Sequence, residues 1–259
     1  MAKRVEGIEG KEKEDELVDD QVAVFLGAEE RLRINQMNII EQSISVTGQH
    51  MSVTVPTIEE LRFIADVLKD NKTIMFLRME ICMNLDSNCG EILTQILDPN
   101  SSIEGLWLYV KAVEHSGIEM LATALANSRL KIFAFWESNI NDEQLAILSE
   151  VFSKHQSISH IEVVSLFSED EDCFSSSGTY ALARAVSNNP VITRVEINPA
   201  EYKHAEINFT EVCEIIKNNK NINDLMLGQF NNLLLGQLEC PIIEEENTCQ
   251  LYGEGTNLV

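Results

Sequence analysis

The sequence predicts an α/β fold in which short strands and helices alternate through the middle of the chain. Three observations predict it. A strand-like unit, apolar-x-x-apolar-x-apolar, recurs six times; helical patterns with readable starts and stops lie between the copies; and no single unit can bury both its strand and its helix, so the units must stack into one core. The copies are IMFLRM from Ile74, IEGLWL from Ile103, LKIFAF from Leu130, ISHIEV from Ile158, ITRVEI from Ile192 and INDLML from Ile222, spaced 29, 27, 28, 34 and 30 residues apart. Their interior positions are Leu77, Met79, Leu106, Leu108, Phe133, Phe135, Ile161, Val163, Val195, Ile197, Leu225 and Leu227. All are apolar, although apolar residues make up only 44% of the chain. Chance would give that result roughly once in twenty thousand sequences, so the pattern is structural.

Taken in order, residues 1–20 are charged and lack apolar periodicity, and are expected to form a flexible acidic segment. Residues 21–40 carry Val22, Phe25, Leu26, Leu32 and Ile34 and are expected to cap the first repeat, because an open repeat end exposes core. The repeat domain is expected over 41–228, with a weaker first unit near Glu41 whose inward residues are Ile44 and Val46, followed by a helix over 57–69. Thr57-Ile-Glu-Glu60 and Ser116-Gly-Ile-Glu119 have capping-box spacing, and Asn141-Asp-Glu-Gln144 is the same device with Asn as cap. Asn71, Asn127, Asn188 and Asn218 are expected to stop helices in the left-handed conformation that Asn tolerates, with Pro190 just beyond one of them. The 34-residue unit holds an insertion, SEDEDCFSSSG (168–178), expected to be a loop; its acids at 169–172 lack the alternation and central Gly of a calcium loop. Residues 229–243 (with NLLLGQLECPII) are expected to cap the other end, and 244–259 to form an acidic tail.

This unit resembles the leucine-rich repeat family, in its long ribonuclease-inhibitor-like class, over about Glu41 to Gly228. The resemblance implies a solenoid (horseshoe) of about six or seven repeats, with a parallel sheet on the concave face and helices on the convex face. The family commonly places Asn or Cys eight residues after the first apolar position. That column here reads Cys82, Lys111, Ser138, Leu166, Ala200 and Phe230, and only Cys82 fits, so less regular repeats are expected.

Charge and composition bound the function. The 42 acidic against 19 basic residues give a net charge of −23, which repels phosphate backbones and anionic lipid, so neither nucleic acid nor membrane is an expected partner. The N-terminal stretch has no apolar run of the kind a secretory signal needs, and no window approaches 18 apolar residues. The six cysteines show no CxxC, and are expected to be free thiols in a reducing, cytoplasmic setting; N-x-S/T triplets at Asn71, Asn100 and Asn208 are then chance. None of His50, His115, His155, His160 and His204 forms HExxH or sits at metal-ligand spacing, and GxSxG, GxxxxGK[ST] and GxGxxG are absent. No catalytic residue, metal or cofactor is expected, and the chain reads as a non-enzyme. Bacterial leucine-rich repeat ubiquitin ligases carry a separate domain with a cysteine nucleophile; the residues left after the repeats are too few for one. A hydrolase built on a Cys or His brought together by folding has little support.

The positive signal lies on the sheet. Strand side chains alternate, so the residues flanking the inward pairs face out: Phe76, Arg78, Glu80; Gly105, Trp107, Tyr109; Ile132, Ala134, Trp136; His160, Glu162, Val164; Arg194, Glu196, Asn198; Asp224, Met226. Both tryptophans of the chain fall on this face in adjacent repeats. Phe76, Arg78, Trp107, Tyr109 and Trp136 are the candidate partner-binding patch, extended by His160, Glu162, Arg194 and Glu196, which would set orientation and specificity. The expected function is a monomeric protein-interaction module that grips a protein partner on its concave face. The alternative is an acidic inhibitor of a basic enzyme, as the ribonuclease-inhibitor resemblance invites. The Glu244-Glu245-Glu246 run before the C-terminal Val259 resembles the glutamate-rich export signal of type IV-secreted effectors of bacteria such as Legionella; that resemblance implies delivery into a host cytoplasm and a host protein as partner.

Overall fold

The alternation of strands and helices assembles as one sheet with its strands in sequence order. The computed structural model describes residues 44–97, 102–136, 139–165, 173–199 and 207–228. Within them the strands are β1 (Ile44–Thr47), β2 (His50–Val55), β3 (Phe76–Leu85), β4 (Gly105–Val113), β5 (Ile132–Trp136), β6 (His160–Val164), β7 (Arg194–Asn198) and β8 (Asp224–Leu227). The helices are α1 (Ile58–Lys69), α2 (Ser87–Ile96), α3 (His115–Ala126), α4 (Asp142–Lys154), α5 (Ser176–Asn188) and α6 (Phe209–Ile216). The sheet order is β1 to β8, parallel from β2 onward, and open rather than closed. A helix separates each parallel pair, and each helix packs against the next along the chain, so the helices form one layer on one face of the sheet.

The start differs from the expected first unit. Ile44 and Val46 are buried as anticipated, but β1 runs antiparallel to β2 through a turn at Gly48, whose φ of 61° suits a two-residue hairpin. The first parallel strand is β2, with Met51, Val53 and Val55 inward. Beyond it, the predicted inward residues from Leu77 to Ile197 are at most 1% exposed, Leu227 is buried, and Leu225 in β8 is half-buried. In the middle of the core Phe133 packs on Phe135 and Phe152, at ring separations of 6.1 and 5.8 Å. Truncating one such phenylalanine costs about 3–5 kcal/mol.

Helix starts follow the caps in two cases of three. Thr57 and Glu60 form the reciprocal box at α1, as do Asn141 and Gln144 at α4. The box at Ser116 does not form: α3 begins at His115, its Glu114 cap makes no side-chain bond, and Glu119 lies 3.5 Å from His115 instead. Docking sets that start. Glu114 donates its N–H to the Leu85 carbonyl (3.0 Å), and a Cβ on Gly117 would strike the same carbonyl.

Helix stops are corrected too. Asn127 closes α3 with a φ of −98° and Asn188 is the last residue of α5, so neither is a left-handed stop, while α1 and α6 close at Asp70 and Lys217 rather than at Asn71 and Asn218. The turns before β3, β6, β7 and β8 are held by a buried side chain five residues ahead of the strand, whereas Asn127, in that place before β5, is exposed. Asn71 accepts from Thr73 N (2.8 Å) and Ile74 N (2.9 Å). Asn189 donates to the Phe152 and His155 carbonyls (2.6 and 2.8 Å) and accepts from Val191 N (3.0 Å). Asn219 donates to the carbonyls of Val186, Asn189 and Ile192. His155 takes the same place: Ser157 N and Ile158 N donate to its Nδ1 at 3.2 and 3.0 Å, so Nε2 carries the hydrogen and donates to Leu125 O at 2.9 Å. Asn188 and Asn218, the predicted stops, are exposed.

The predicted 168–178 loop is partly core. Phe174 is fully buried, Cys173 nearly so, and Ser175 caps α5, which starts inside the segment. Asp142 at the start of α4 reaches across to accept from Ser175 N, Ser175 Oγ and Gly178 N at 2.6–2.8 Å. Cys82, the one match to the family's turn column, is exposed on β3. Cys82, Cys89 and Cys173 are free thiols, and burial pushes Cys89 up to about 11. The acids at 169–172, the caps expected at 21–40 and 229–243, the segment 1–20 and the tail 244–259 lie outside the described residues.

Candidate functional site

From β2 to β8 the outward positions fall into three rows in register across the sheet, while beyond Ile81 the pairing of β3 with β4 shifts. One row runs His50, Phe76, Gly105, Ile132, His160, Arg194, Asp224; the next Ser52, Arg78, Trp107, Ala134, Glu162, Glu196, Met226; the third Thr54, Glu80, Tyr109, Trp136, Val164, Asn198. Side chains in a row stand one strand spacing apart, ~4.8 Å. The nine candidate residues therefore share the face opposite the helices, as their alternation requires.

The aromatic residues form two linked groups. Phe76 stacks on His50 at 4.6 Å between ring centres and lies 6.3 Å from Trp107. Both rings lean over Gly105, where a Cβ would stand 2.8 Å from Phe76 and 2.9 Å from Trp107, so only the bare backbone lets them lie flat. Tyr109 meets Trp136 edge-on at 5.3 Å, and the Arg78 guanidinium sits 4.4 Å over the Tyr109 ring. All four predicted aromatics are half-buried. Ala134, small and flanked by Trp107, is fully covered.

The charged half is more tightly organised than alternation alone suggests. Trp136 donates its indole N–H to Glu162 Oε2 at 2.9 Å, and His160 Nε2 lies 2.7 Å from Glu162 Oε1. A bare ring nitrogen so close would set lone pair against lone pair, so Nε2 carries a hydrogen, although it is not aimed along a good hydrogen-bond line. Glu162 is only 6% exposed. Burial pushes its carboxyl up, but His160, the Trp136 donor and the Arg194 charge outweigh that and hold it below the ordinary glutamate range. It orients Trp136 rather than offering a free charge. Arg194 Nε lies 3.2 Å from Asp224, again off a directed line. Glu196 is different: it has no hydrogen-bond or ion-pair partner among the described residues, and burial followed by the neighbouring Glu162 charge pushes its carboxyl up.

No protein-family model and no curated protein matches the chain. The site is therefore read from its own geometry. Among the described residues no group of three or more His, Cys, Asp or Glu side chains is arranged to hold a metal ion, and no helix is long and apolar enough to cross a membrane. Sequence reasoning missed His50, because β2 was not recognised; its alternation, HMSVTV after a glycine turn, is the signal that would have found it. It also missed that Glu162 serves Trp136, which needs the register of β5 on β6. What the face offers chemically is a broad aromatic platform of few rotatable bonds, edged by one oriented carboxylate pair and one unpaired carboxylate.

Proposed function

We propose that this chain is a leucine-rich-repeat-type solenoid with no enzymatic role, which binds a protein partner on the open face of its sheet. The observation that carries the reading is the set of linked aromatic side chains on that face, with Trp136 fixed by Glu162 and Phe76 and Trp107 laid over Gly105. Preset aromatic anchors lose little conformational freedom on binding and bury large areas, which is why they dominate interface energies. The strictly sequential sheet and the buried side chain that recurs before β3, β6, β7 and β8 support the repeat architecture. The test is capture of partners from lysate by the full chain and by a Trp107→Ala/Trp136→Ala variant, with the fold checked by circular dichroism. The reading expects a partner lost with the variant; capture that is unchanged with the fold intact removes the site assignment.

A further inference from the structure

Glu196 is the group on this face whose chemistry is incomplete. It is half-buried in β7, flanked in register by Glu162 on β6 and Met226 on β8. Among the described residues the charged groups around it are engaged elsewhere, Glu162 with His160 and Trp136 and Arg194 with Asp224, and the pull of Arg194 and His160 on Glu196 is outweighed by its burial and the Glu162 charge. A carboxylate half out of water beside a second carboxylate, with no donor of its own, is stabilised by an incoming cation. Met226 is 46% exposed, the one exposed large hydrophobic side chain among the described residues. It is an adaptable apolar surface on which the aliphatic stem of a long basic side chain can lie while its head reaches Glu196.

Resting on the aromatic-face reading above, we propose that the partner is an extended basic protein segment that sets an Arg or Lys against Glu196 and Met226 and an apolar side chain on Trp107. The register fixes the separation. Trp107 and Glu196 share a row three strand spacings apart, ~14 Å, and an extended chain advances ~3.3 Å per residue, so the two anchors stand about four residues apart on the same side of the segment. An even separation is also what period-two alternation demands of two side chains facing one surface.

Blocked, labelled peptides with a Gly/Ser/Thr background, one Phe and one Arg at separations of one to seven are the probe, each paired with a citrulline version, and read by fluorescence anisotropy on the full chain. Binding is expected to be strongest at a separation of four and about ten-fold weaker for citrulline, the value of one charge-assisted hydrogen bond. Glu196→Gln should remove the Arg-over-citrulline preference, and Trp107→Ala should weaken both forms alike. A preference that survives Glu196→Gln, no dependence on separation, or no binding by any peptide overturns the proposal. If Trp107→Ala weakens the peptides but charge has no effect, the aromatic reading stands and only this inference falls; if Trp107→Ala and Trp136→Ala change nothing, the aromatic reading falls as well.

Discussion

Replacing Asn189 with Ala isolates the device that turns α5 back into β7. Asn189 is 4% exposed, and its side chain makes three hydrogen bonds, to Phe152 O, His155 O and Val191 N. Truncation leaves two buried carbonyls and one backbone N–H without that partner, each worth about 1–3 kcal/mol when orphaned. Allowing for partial relaxation and entry of water, the loss is about 3 kcal/mol. For a domain of this size that is a fall of about 10 °C in melting temperature, read by thermal and urea unfolding with tryptophan fluorescence. Asn188→Ala is the internal control: the neighbouring residue is exposed, and its substitution should stay within about 0.5 kcal/mol. Equal effects of the two variants, or a cost below about 1 kcal/mol for Asn189→Ala, would refute the reasoning.

Other outcomes follow from the same geometry. Burial lowers the pKa of His155, against a smaller opposing pull from Leu125 O; its folded pKa lies below the unfolded one, so its contribution is complete above the ordinary histidine range and lost as pH falls through it. The urea midpoint should therefore drop between pH 7.5 and 5.5, and His155→Asn should flatten that drop. Gly117→Ala, a substitution that normally stabilises a helix by about 1 kcal/mol, should here destabilise by 2 kcal/mol or more in urea unfolding, because the new methyl meets the Leu85 backbone. Gly105→Ala meets only ring edges of Phe76 and Trp107, so stability should change by less than about 1 kcal/mol while tryptophan emission shifts red as the rings lift.

Much of the sheet was legible because period-two alternation survives in the strand units, and ten of the twelve inward residues are nearly inaccessible. β2 escaped because Gly48 stands where the unit's first apolar residue would be, and a turn glycine carries no apolar signal. Paired asparagines look alike until a register is imposed, and of each pair it is Asn189 and Asn219, not Asn188 and Asn218, that are buried in the turn. Counting back three from Ile74, Ile158, Ile192 and Ile222 gives Asn71, His155, Asn189 and Asn219, all buried, while the same count from Leu130 gives Asn127, which is exposed. His155 breaks the residue type but keeps the chemistry, an acceptor for the turn and a donor to the preceding carbonyl. On the candidate face, alternation gave which residues point outward. It could not show that Glu162 is spent on Trp136, or that Glu196 has no donor, because those depend on how three neighbouring strands align.

The central claim is that binding resides on the open sheet face and not on the helices. The most direct measurement is calorimetric titration of the captured partner against Trp107→Ala/Trp136→Ala and against Glu143→Lys/Glu150→Lys, two exposed positions on α4. The account predicts at least a ten-fold loss of affinity for the tryptophan variant and less than about a two-fold change for the α4 variant. Full affinity in the folded tryptophan variant, with loss in the α4 variant, would contradict it.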